Sequence, residues 1–123
     1  MKKSMVMGLA AVLIMLFSLT ACGQLGDVSD MGNAFMSALS TGDNATSYQM
    51  LHPDIQQEVG GESGWADWTA IRNFEKWNFN SNSIENNTAQ LEGTAELEGT
   101  TYNVVLIFDK VNETWQITGI NFE

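Results

Sequence analysis

The chain has 123 residues, 44% hydrophobic and 16% charged, with one Cys, one His and one Pro. That length fits a single domain, and a lone Cys excludes both an internal disulfide framework and a cysteine-rich zinc site. Fifteen acidic residues against five basic ones give a net charge of −10, which argues against nucleic acid as a partner, and the apolar content is too high for a disordered chain.

Lys2 and Lys3 form a short positive region ahead of an apolar stretch from Met5 to Leu19. Its 15 residues suit a signal-peptide core and fall short of the ~20 that a membrane-spanning helix needs. The stretch runs directly into Leu19-Thr20-Ala21-Cys22. Small residues before a Cys at the end of such a core resemble the lipobox of bacterial lipoproteins. The resemblance covers the first 22 residues. It implies a diacylglyceryl group on the Cys22 thiol, cleavage just before that residue, and a membrane anchor of two or more acyl chains, which holds nearly permanently. Rival readings are an uncleaved membrane helix, supported by the uncharged run Ser4 to Gly26, and a secretory signal with an incidental Cys. All three place the domain outside the cytoplasm.

On the lipoprotein reading, residues 1–21 are the signal peptide, 22–26 the acylated Cys with a short tether, and 27–123 the folded domain. Cleavage leaves 102 residues with Arg72, Lys76 and Lys110 against fifteen acids, a net charge of −12. A domain so acidic is repelled by an anionic membrane surface and stands off its anchor. The family's sorting rule reads the second mature residue. Gly23, in place of Asp, implies the outer membrane in a Gram-negative cell, and the cell membrane applies otherwise.

From Asp27 the spacing predicts a helix whose apolar face carries Val28, Met31, Phe35 and Leu39 and which stops before Thr41-Gly42. Asp43 is the expected N-cap of a second helix with Ala45, Tyr48 and Leu51 on one face. Pro53 ends that helix and begins a short turn to Val59, with Ile55 and Val59 four apart. Gly60-Gly61 breaks the chain, and Ser63 is the expected cap of a third helix carrying Trp65, Trp68, Ile71 and Phe74.

After Phe74 the period drops to two. Trp77 and Phe79 alternate with Asn, then Ala89, Leu91, Ala95 and Leu97 with polar neighbours. Glu98-Gly99-Thr100 and Lys110-Val111-Asn112-Glu113 read as turns. Tyr102, Val104, Leu106 and Phe108 form one apolar strand face. Val105 and Ile107 on the other suggest cover on both sides or an oligomer interface. Trp115 and Ile117 are continued out of phase by Ile120 and Phe122, so a bulge is expected at Gly119. The elements predict an α+β fold, three N-terminal helices packed on one face of an antiparallel sheet of about four strands.

The tract Ala34 to Asp43, followed by Tyr48, Leu51 and Pro53, and the closing tract Trp115 to Ile120 are similar to the nuclear transport factor 2-like, or cystatin-like, superfamily. The resemblance implies a curved sheet wrapped on the helices around a cavity. Members include isomerases, dehydratases, ligand carriers and protein-binding modules, so it fixes no chemistry. This chain departs from the pattern in having no strand between its second and third helices, which implies a shallow or closed cavity.

His52 beside Asp54 is a candidate general base, weighed against a helix-end residue that interacts with the last carbonyls. No second His or spare Cys is there to complete a His-based metal site or a triad. The strand acids Glu92, Glu96, Glu98 and Asp109 alternate away from the apolar residues and read as a solvated face. Candidate pocket or interface residues are Trp65, Trp68, Trp77 and Tyr48, with Trp65 and Trp68 expected to be exposed; the competing reading is core filling. The expectation is a non-enzymatic binding or accessory module of the cell envelope, without cofactor or metal. Its partners are the membrane through Cys22 and an envelope protein or a small apolar ligand. The rivals are a ligand carrier and an isomerase-type or dehydratase-type enzyme.

Overall fold

The structure, a computed structural model, describes residues 24–123; the expected signal peptide and the Cys22 lipidation site lie outside the described residues. Helices α1 (Gln24–Thr41), α2 (Asn44–Gln49), α3 (Pro53–Glu58) and α4 (Gly61–Thr69) precede strands β1 (Lys76–Glu85), β2 (Thr88–Leu97), β3 (Thr100–Val111) and β4 (Thr114–Phe122). The strands form an antiparallel sheet in the order β1-β2-β3-β4. The fold is therefore of the α+β class, helices first and strands after.

On α1, Val28, Phe35 and Leu39 are buried as the periodicity predicts, joined by Met36 and Ala38. The helix begins at Gln24, so part of the expected tether is helical; Asp27 in the first turn suits the positive end of the helix dipole. Asp43 caps α2, its carboxylate accepting from the Thr46 amide at 3.2 Å and from the Thr46 hydroxyl at 2.8 Å.

The predicted face of α2 is corrected. Ala45 is exposed and Ser47 is buried, its hydroxyl accepting a hydrogen bond from Trp65, while Leu51 lies beyond the helix in a bridge beside Ile117. The short turn expected at Pro53 is a helix of its own, α3, with Ile55 packed against the core and Val59 just beyond the helix end packed likewise. Helix α4 starts two residues before Ser63, because Gly60 adopts a left-handed φ of +89° and turns the chain into it. It also ends early, where the Arg72 amide donates to the Thr69 carbonyl at 2.9 Å. Ile71 and Phe74 thus leave the helix face assigned to them: Ile71 is 71% exposed and Phe74 is buried at the entry to β1.

In the sheet, Ala89, Leu91, Ala95, Val104, Leu106, Phe108, Trp115 and Ile117 are buried at alternate positions. They share one core with Val28, Phe35 and Leu39 of α1. The phase change in β4 is a bulge beside Gly119: Ile107 pairs with Gly119 and Phe108 with Ile117, leaving Thr118 between them. A second bulge, not expected from the sequence, leaves Asn80 unpaired and lets Ile84 pack on the same core as Trp77 and Phe79. Val105 and Ile107, on the opposite face of β3, are half-buried. Strand β3 runs on to Val111, which confines the last turn to Asn112 and Glu113. Asn86, Glu98 and Asn112 open the three hairpin turns at positive φ, a region that Asn tolerates well.

Helix α1 touches β1 and β2, α3 touches β4, and α2 and α3 both touch α4. The free edge of β4 is covered at Ile117, whose carbonyl accepts from the His52 amide at 2.8 Å and whose amide donates to Met50 at 3.0 Å. Two glycines permit close approaches. A methyl group at Gly32 in α1 would collide with the Leu91 side chain and lie 3.2 Å from the Phe79 ring. One at Gly93 would strike the Asn78 carbonyl and sit 2.7 Å from the Phe79 Cα, backbone that is held by the β1–β2 ladder. Gly93→Ala is expected to lower unfolding stability by about 1–3 kcal/mol. Gly119→Ala, which meets only the Ile107 side chain at 3.1 Å, is expected to cost less. Urea denaturation midpoints of the two variants check this order.

Candidate functional site

Trp65 and Trp68 stand three residues apart on α4 and stack at 4.9 Å with 15° between their planes. Trp65 is 1% exposed, which corrects the expectation that it is a surface residue. The reason is a polar one. Its indole N–H donates to the Ser47 hydroxyl at 2.8 Å, so the whole ring, 6.0 Å from Phe35, enters the core without an unpaired donor.

Trp68 is half-buried and continues the row toward the sheet. Its ring lies 5.9 Å from Phe122, which lies 4.7 Å from Phe74, and Phe74 meets Tyr102 edge-on at 5.8 Å. The guanidinium of Arg72, one turn on from Trp68, sits 4.0 Å from the centre of its ring, and Nη1 donates to the Trp68 carbonyl at 2.6 Å. Burial pulls the Arg72 guanidinium below its ordinary pKa, and Tyr102 acts in the opposite sense. Arg72 was not among the residues singled out by motif; its spacing of four from Trp68 was the available signal.

The other expected site residues lie elsewhere. Trp77 is half-buried on β1 and donates from its indole to the Asn33 Oδ1 of α1 at 3.0 Å, a link between helix and sheet. Tyr48 lines an open groove of about 580 Å³ with Pro53, Gln56, Gln57, Gly60 and Gly61. Only Trp65 and Trp68 of the four are stacked together. Trp115 is buried beneath Lys110, whose Nζ is 5.5 Å from its ring.

His52 is a cap. Its Nδ1 accepts from the Asp54 amide at 3.0 Å and so begins α3, rather than meeting the last carbonyls of the helix before it. The Asp54 carboxylate, 3.8 Å from Nδ1, is 88% exposed. Neither group lines the Tyr48 groove. Among the strand acids, Glu96 lies 4.0 Å from Lys76 and Asp109 accepts from the Thr88 hydroxyl at 3.2 Å. Among the described residues, no group of three or more His, Cys, Asp or Glu is placed to hold a metal ion, and no helix is long and apolar enough to cross a membrane.

A scan against protein-family models found no match, and a search of curated proteins likewise matched none.

Trp65→Ala is expected to destabilise the fold by about 3–5 kcal/mol, and Ile71→Ala to stay within about 0.5 kcal/mol of the parent. Chemical denaturation separates the core ring from the surface side chain. His52→Ala should cost about 1 kcal/mol, while His52→Asn, which keeps a capping acceptor, should restore most of it. The same unfolding curves supply that comparison.

Proposed function

We propose that the chain is a lipid-anchored lipoprotein of the cell envelope whose extracytoplasmic domain acts as a non-enzymatic binding or accessory module. The observation that carries this reading is the ordered set Lys2-Lys3, apolar core and Leu19-Thr20-Ala21-Cys22, followed within two residues by the first turn of α1. An acyl group on Cys22 would be separated from α1 by Gly23 alone. In this reading the four helices cover one face of a curved, cystatin-like sheet. The single core shared by α1 and the alternate residues of β2, β3 and β4 supports that arrangement, as does the fit of Gly32 against Leu91 and Phe79.

Binding is favoured over catalysis by what the polar side chains are doing. His52 is committed to capping α3 and Asp54 faces solvent, whereas Trp68 and Arg72 form a partly exposed, hydrogen-bonded unit next to exposed Ile71. Such residue types dominate binding energy at protein interfaces.

The test is a Cys22→Ser variant expressed in the native host, followed by membrane fractionation and metabolic labelling with a radioactive fatty acid. The parent is expected in the membrane fraction with label. The variant should carry no label and should leave the membrane. A labelled variant, or an unlabelled parent, would overturn the lipoprotein assignment.

A further inference from the structure

We propose that Trp68, Ile71 and Arg72 form a docking surface for a protein segment that presents one carboxylate beside an apolar side chain. This deepens the binding-module reading and rests on it. The described residues contain three cations among fifteen acids. Lys76 and Lys110 lie 4.0 Å and 3.9 Å from Glu96 and Glu113, but Arg72 has no carboxylate within 4.0 Å among the described residues. An arginine left without an acid in so acidic a chain is oriented by other means. Its plane is held over the Trp68 ring, and Nη1 is tied to the Trp68 carbonyl. The guanidinium fork carries five N–H donors, so most remain to meet a carboxylate in paired geometry.

Ile71 supplies the apolar half. It is the exposed large apolar side chain among the described residues, and it immediately precedes Arg72. The position suits a partner rather than the bilayer. The Asn73 side chain donates to the Leu39 carbonyl at 2.8 Å, which pins the Ile71–Arg72 turn near the C-terminal end of α1. The opposite end of that helix is Gln24, 15 residues before Leu39 and about 22 Å from it at 1.5 Å per residue. The surface therefore sits at the far end of α1 from Gln24, the described residue nearest Cys22 in sequence.

The rest of the molecule selects the partner further. Fifteen acids repel an acidic run, but that repulsion is screened beyond about 8 Å at physiological ionic strength, so a single short-range carboxylate is admitted. The surface should thus discriminate against polyacidic segments.

The experiment places the photocrosslinking amino acid p-benzoylphenylalanine at position 71 of the full chain, in the native host, and identifies the crosslinked peptide by mass spectrometry. The expected product is a protein segment with an Asp, Glu or terminal carboxylate next to an apolar residue. Arg72→Gln in the same chain should reduce its yield by about tenfold, equivalent to 1.4 kcal/mol. Arg72→Glu, paired with a Lys in place of the identified acid, should restore it, which separates a lost contact from a misfolded variant. Crosslinks to a second copy, to lipid, or to a segment without a carboxylate would overturn the proposal, as would no crosslink at all or a yield indifferent to Arg72. Membrane fractionation of the same cells reports on the anchor separately, so failure of the docking surface and failure of the lipoprotein reading give different results.

Discussion

Helix α1 lies against β1 and β2 because Gly32 has no side chain at the point of contact. Any Cβ there would occupy the space of Leu91, which is fully buried, and press on Phe79. Two hydrogen bonds set the direction of the contact: Asn73 reaches Leu39 near the end of α1, and Trp77 reaches Asn33 two turns earlier. Strand β1 therefore runs back along the helix. Each buried Leu or Phe side chain in this layer contributes on the order of 1.5–3 kcal/mol, so losing the close approach would affect several of them together.

The same packing decides what the second half of the helical segment can do. With α1 in place, α2 presents Ser47 inward, its hydroxyl donating to the Asp43 and Asn44 carbonyls at 3.4 and 3.3 Å. The fully buried Trp65 finds the acceptor for its indole N–H in that same hydroxyl. Trp68, one turn further along α4, then stacks with Trp65 and Phe122. The Arg72 guanidinium sits over its ring. The exposed chemistry of this region thus follows from the enclosure of Trp65, whose N–H is paired inside the core.

Much of the architecture is legible in the residue pattern. The 3.6-residue spacing of Val28, Phe35 and Leu39, the Asp43 cap and the strict alternation in β2 and β3 all correspond to local periodicities with a direct physical cause. The bulge beside Gly119 was readable because apolar residues stand on both sides of the phase change. The bulge at Asn80 was not, since Asn and Ser surround it and no apolar residue reports the phase until Ile84. The end of α4 also escaped, because Trp65, Trp68 and Ile71 keep helical spacing although the chain turns at Thr69. For the site, the candidate aromatic residues could be named by type. Which of them meet is a tertiary matter: Trp65 and Trp68 stack, while Trp77 and Tyr48 serve other contacts.

A domain of about 100 residues buries a smaller share of its surface than a larger one and fills its core with whatever large side chains it has. Here Trp65, Phe74, Phe108 and Trp115 are enclosed, and Trp77 ties α1 to the sheet. Aromatic richness in such a chain is therefore weak evidence for binding, since the fold itself consumes most of it. The informative residues are those that the fold does not need. Ile71 adds nothing to the core, and Arg72 makes no ion pair among the described residues, yet their backbone is held by the Thr69–Arg72 turn and by the Asn73–Leu39 bond. A turn whose backbone is already fixed loses little further conformational freedom when a partner arrives. That is the physical basis for proposing recognition at this turn in preference to the open groove at Tyr48.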